Sequence, residues 1–131
     1  MTTVTEEMGV IRRVAEGMVG LELLVLFGSR ARGNTHSGSD WDFAYLGTAG
    51  LDANHLNAEL SLALHTDRVD LADLAKAGGL LRFRAARDGV PLYESREGAF
   101  RDFWFEAVRF WCDARQVLDA SYDTLLAKLD R

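Results

Sequence analysis

The sequence predicts an α/β (α+β) domain, a small mixed β-sheet flanked by helices with further helix at the C-terminal end. Three observations predict it. Short apolar runs stopped by glycine read as buried strands. Between them, apolar residues recur at helical spacing. Helix and strand alternate along a chain of 131 residues, a length that suits one core rather than two.

Taken in order, Thr3 and Glu6 have capping-box spacing, and Val4, Met8, Ile11, Val14 and Met18 follow at helical intervals. This first helix should end near Gly17 or Gly20. Leu23 to Phe27 is an apolar run too short for a helix and is read as a buried strand. Gly28 to Ser39 is polar and reads as a loop or as a loop leading into a short helix. Trp41 to Leu46 is a second strand. Leu51 to Leu64 is a helix, with Ala53, Leu56, Leu60, Ala63 and Leu64 on one side. Arg68 to Leu74 is a third strand, Gly78 to Arg87 a helix, and Val90 to Tyr93 a short strand after the Asp88-Gly89 turn. From Ser95 onward the pattern is helical, one long segment and a short terminal one broken near Ser121. The expected division is a core over 1–94 and a helical extension over 95–131 that packs on it.

Composition excludes several classes. Apolar residues make up 48% and charged residues 27%, which is too apolar for a disordered chain. The net charge of −5 argues against binding a nucleic-acid backbone or an anionic membrane surface. The single cysteine, Cys112, cannot form an internal disulfide and is expected as a small buried hydrophobe. No run reaches the roughly 18 apolar residues of a membrane span, and no signal peptide is visible, so a cytoplasmic protein is expected.

The chemistry concentrates in Gly28-Ser29-Arg30-Ala31-Arg32-Gly33, Ser39-Asp40-Trp41-Asp42 and Val69-Asp70-Leu71. Gly28 ends a strand and lets a ligand approach the backbone. Ser29 offers a hydroxyl, and Arg30 and Arg32 offer guanidinium forks, only one of which is expected on phosphate. Asp40 and Asp42, two apart on a strand, share a face while Trp41 points into the core. Paired carboxylates suit Mg²⁺. Asp70 lies within an apolar strand and is expected to be buried, where a lone carboxylate needs a partner. If its strand neighbours that of Asp40 and Asp42, three carboxylates converge, the geometry of two-metal phosphoryl or nucleotidyl transfer. Asp73 is a rival third ligand. It points to the other face from Asp70, so both cannot join one site.

These pieces, G-S-x-A-x-G, then S-D-x-D, then an aspartate in V-D-L, resemble the DNA polymerase β-like nucleotidyltransferase superfamily. The likeness is strongest to its minimal nucleotidyltransferases, antitoxins that act beside HEPN-domain toxins. It covers about Leu23 to Tyr93 and departs in the bulky Trp41 and in the absence of a proline after the third strand. The resemblance implies a nucleotidyltransferase fold and ATP as substrate. It implies two Mg²⁺ ions at Asp40, Asp42 and Asp70, with Asp70 favoured over Asp73. Gly28 and Ser29 would hold the β and γ phosphates, with Arg30, Arg32 and Ser39 beside them. Ser39 and Ser37 equally suit turn positions. His36, His55 and His65 share no spacing and carry no assigned role.

Little chain follows Tyr93 to enclose an acceptor, so the acceptor is expected on a partner protein. The favoured reading is transfer of AMP to a tyrosine of a HEPN ribonuclease toxin, with release of pyrophosphate. A small-molecule nucleotidyltransferase resembling the aminoglycoside enzymes, working as a dimer, and an inactive antitoxin acting by contact stay open. The segment Phe100 to Leu118 has a polar stripe (Asp102, Glu106, Arg109, Asp113, Gln116) and apolar residues elsewhere. Phe105, Val108 and Cys112 are expected to form an uncovered apolar face for a partner, either the toxin or a second copy of the chain. The rival reading covers that face with Tyr122 to Leu129.

Overall fold

The computed structural model describes residues 4–31, 33 and 40–129. The element order is α1 (Val4–Glu16), β1 (Leu21–Phe27), β2 (Trp41–Gly47), α2 (Ala53–Leu64), β3 (Val69–Asp73), α3 (Gly79–Asp88), β4 (Val90–Glu94) and α4 (Ala99–Leu129). All four expected strands form, with ends shifted by one or two residues. Thr3, the expected cap of α1, lies outside the described residues.

The sheet order is β3-β2-β1-β4. β1 pairs antiparallel with both β2 and β4, and β2 pairs parallel with β3 through the α2 crossover. The apolar run of β1 follows from its central place, because both of its faces are covered. Leu24 and Leu26 face one cluster with Phe43, Ile11 of α1 and Leu56 and Leu60 of α2. Leu23 and Val25 face the other, with Ala44, Ala85 and Ala86 of α3 and Phe103 and Ala107 of α4. The molecule is thus three layers, with α1 and α2 below the sheet and α3 and α4 above it. Pro91 is tolerated because β4 is an edge strand.

Asp52 caps α2 by accepting from the His55 N–H at 3.2 Å, and His65 closes the helix in the left-handed conformation at φ 54°. These two histidines therefore sit at helix ends. Arg82 of α3 donates to the Leu74 carbonyl at 2.7 Å and ties α3 to the end of β3.

Four expectations are corrected. The C-terminal segment is one helix of 31 residues, with no break at Ser121. The stretch holds no glycine or proline, and a single serine costs a helix too little to end it. The terminal segment therefore does not fold back over the apolar face. Val108 packs against the second cluster, whereas Cys112 is exposed. The buried stripe of α4 passes through Phe103 and Ala107, which brings Val108 to its flank and turns Cys112 away. Asp70 is exposed rather than buried, because β3 is an edge strand. No helix among the described residues is long and apolar enough to cross a membrane.

Candidate active site

The site lies where β1 ends and β2 and β3 begin. Phe27, the last residue of β1, pairs with Asp42, and Asp42 pairs in parallel register with Asp70. Residues in register on adjacent strands share a face, about 4.8 Å apart along the ladder. Asp42 and Asp70 therefore stand side by side on the α3/α4 face. The same register sets Asp73 opposite Tyr45, on the α1/α2 face. Asp73 accepts the Ala75 N–H at 2.9 Å. The Tyr45 phenol is held above its ordinary pKa by burial first, then by the charge of Asp73 and a hydrogen bond to it. Asp73 is thus engaged on the other side of the sheet from Asp42.

Trp41 fixes how the paired aspartates are presented. It is 4% exposed and stacks on Phe43 at 5.8 Å, as its inward position in the sequence predicts. Its N–H donates to the Arg68 carbonyl at 2.9 Å, which anchors the start of β2 on the approach to β3. With Trp41 buried, Asp42 projects to the opposite face, and Asp40 is exposed just ahead of the strand. The Arg30 guanidinium lies over the Trp41 ring, 4.0 Å from its centroid.

Gly28 follows at φ +78°, and a Cβ there would strike the Asp42 carboxylate. The turn that carries Ser29 is therefore pressed against Asp42 by the lack of a side chain, which leaves room for backbone approach. Ser29 is half-buried in this turn. Arg32, His36, Ser37 and Ser39 lie outside the described residues. Above the turn is a cavity of about 410 Å³ lined by Phe27, Gly28, Arg84, Arg87 and Asp88. The two arginines were not singled out from the sequence. Their signal was the Asp88-Gly89 turn, which returns the chain along β1 and sets the end of α3 beside Gly28.

Hard oxygen donors two apart on one strand, with a third in register beside them, fit Mg²⁺ in kind. Among the described residues, no three His, Cys, Asp or Glu side chains close to metal-holding distance. Carboxylates of like charge separate unless a cation draws them together.

Comparison with known proteins bears on the fold and the family. The family described as polymerase beta, nucleotidyltransferase matches residues 10–98. A protein adenylyltransferase MntA of Aphanizomenon flos-aquae is 36% identical over 95 residues, which is 63% of this chain and 63% of that protein. Another MntA, of Shewanella oneidensis, is 33% identical over 91 residues, or 67% of this chain and 65% of the relative. The matched part of the chain thus spans just under two thirds of either relative's length. A crystal structure of a toxin–antitoxin complex with AMP-PNP superposes with a TM-score of 0.73 and 27% identity, over 91% of this chain and 98% of that one. The chain belongs to the polymerase β nucleotidyltransferase family.

Proposed function

We propose that this chain is an antitoxin that transfers AMP from ATP to a tyrosine hydroxyl of a HEPN ribonuclease toxin. The observation that carries the reading is the register that sets Asp42 beside Asp70 with the Gly28 turn pressed against Asp42. Similarity to two proteins named as protein adenylyltransferases and to a toxin–antitoxin complex with an ATP analogue supports the acceptor class.

Asp40, Asp42 and Asp70 would hold Mg²⁺, which when bound supplies positive charge for the triphosphate and for an ionised hydroxyl. Gly28 and Ser29 bind the β and γ phosphates through backbone N–H groups and the serine hydroxyl, and Arg30, Arg32 and Ser39 are the further phosphate-binding candidates of this reading. Asp70 orients the attacking tyrosine hydroxyl and takes its proton. The phenolic oxygen bonds to the α-phosphorus, the bond from that phosphorus to the bridging oxygen breaks, and pyrophosphate leaves. AMP on a nuclease adds negative charge and bulk where RNA phosphate must bind, which blocks cleavage. ATP as donor makes the cytoplasm the place of reaction. Residues 1–94 form the catalytic core. Residues 95–131 form the docking extension, whose Phe105 and Phe110 are 60% and 58% exposed.

The test is the intact mass of the toxin after incubation with this protein, ATP and Mg²⁺. An increase of one or more AMP units is expected, and it should vanish with Asp42→Asn or with chelator. An unmodified but neutralised toxin would leave inhibition by contact alone. Transfer that persists in Asp42→Asn would remove the carboxylate assignment.

A further inference from the structure

We propose that Arg84 is a nucleotide-binding residue that grips the terminal phosphates of ATP from the side of the cavity opposite the Gly28–Ser29 turn. The inference rests on the nucleotidyltransferase reading above and adds to it a residue from α3, an element outside the motifs.

The chain path places Arg84 there. Val90, at the start of β4, pairs with Leu26 of β1. The last turn of α3 must therefore lie against the end of β1, beside Gly28. Ala85 and Ala86 are buried beneath the helix, and a Cβ on Gly89 would collide with Val25 and with the Ala85 carbonyl. That close seat fixes the helix rotation. Arg84, Arg87 and Asp88, at spacings of three and four, are left together on the cavity wall.

The charges on that wall are not equivalent. Arg87 donates Nε and Nη2 to the Asp88 carboxylate at 3.0 and 2.9 Å, and its guanidinium lies 5.5 Å from the centre of the Phe83 ring. Asp88 thus compensates Arg87. Arg84 is exposed and has no ion pair among the described residues. Among the described residues, Arg84 is therefore the positive charge of the lining that no carboxylate pairs. A triphosphate bound here meets the carboxylates of Asp42 and Asp70 and the negative end of the α3 dipole. It needs cationic donors on the cavity side, and a guanidinium fork matches phosphate oxygens in charge and geometry. A cavity of about 410 Å³ is within the range of small-ligand sites.

The experiment is calorimetric titration of ATP and of AMP, each with Mg²⁺, into the full-length protein and its variants. Arg84→Ala is expected to weaken ATP about tenfold to a hundredfold, the loss of a hydrogen bond to a charged group, and to leave AMP affinity unchanged. Arg84→Lys should recover part of the loss. Arg12→Ala, an exposed arginine on α1 across the sheet, should change neither ligand. Equal ATP affinity in Arg84→Ala and the unaltered protein overturns the assignment while leaving the nucleotidyltransferase reading intact. Equal losses for ATP and AMP overturn the contact with the terminal phosphates. Failure of the unaltered protein to bind ATP overturns both readings together.

Discussion

Gly28 meets two demands at one position. Its φ of +78° lies in the left-handed region, and its α-carbon faces the Asp42 carboxylate with no room for a Cβ. Gly28→Val should therefore distort the turn and displace Asp42 at once. Its cost to stability is expected at about 1–3 kcal/mol, read from the denaturant midpoint, with ATP binding lost in titration. Ser29→Ala should keep the fold and weaken ATP by about tenfold or more, through one hydrogen bond to a charged group. Unchanged ATP affinity in both variants would make the turn scaffold only. Residue identity was the most legible level of this site: Gly28, Asp40 and Asp42 stand out by type and spacing. The choice between Asp70 and Asp73 was less legible, because it depends on strand register. The one-to-one parallel pairing of β2 with β3 puts Asp70 beside Asp42 and Asp73 beside Tyr45.

At the scale of elements, α4 divides its work along its length. Its 31 residues span about 46 Å at 1.5 Å per residue, longer than the strands it crosses. Phe103 and Ala107 anchor it, at 2% and 1% exposed. Phe105 is 60% exposed and Trp104 packs edge-on against it at 5.2 Å, whereas Phe110, though 58% exposed, lays one edge of its ring against Gly79 of α3. Truncation at the anchor and a charge on the free face should thus act differently. Phe103→Ala should cost about 3–5 kcal/mol of stability, measured by denaturant unfolding. Phe105→Asp should leave the melting temperature within about a degree or two but abolish co-elution with the HEPN toxin proposed as its partner in size-exclusion chromatography. Retained co-elution would place the docking surface elsewhere. The sequence showed that α4 has more apolar surface than one sheet can cover. It did not show which residues the sheet takes, because Val108 and Cys112 are four apart and look alike by pattern. Burial was decided by where Phe103 and Ala107 land among Leu23 and Val25 of β1 and Ala85 and Ala86 of α3. The role of α3 was hidden for a similar reason, since only the return of β4 along β1 brings Arg84 to Gly28.

In the whole molecule, the two apolar layers are separate from the carboxylates of the site. Leu24, Leu26 and Phe43 fill one layer and Leu23, Val25 and Ala44 the other, whereas Asp40 and Asp70 are exposed at the sheet end. Loss of chemistry and loss of fold are therefore separable. The Tyr45–Asp73 pair, three residues further along the same β2–β3 ladder, belongs instead to the fold. Burial and the Asp73 charge raise the phenol above its ordinary pKa of 10.0, so the folded chain holds that proton more tightly than the unfolded chain. Below pH 10.0 both states are protonated and the contribution to stability is complete. As pH rises further, the unfolded chain ionises first and stability falls, until the folded phenol has also lost its proton. Tyr45→Phe has no proton to lose and should flatten this part of the alkaline limb. Asp73→Asn, which removes the raising charge, should narrow the window over which stability falls. The measurement is urea unfolding of the three proteins from neutral pH to above pH 11. Parallel curves throughout would show that the β2–β3 edge gains nothing from keeping the phenol protonated.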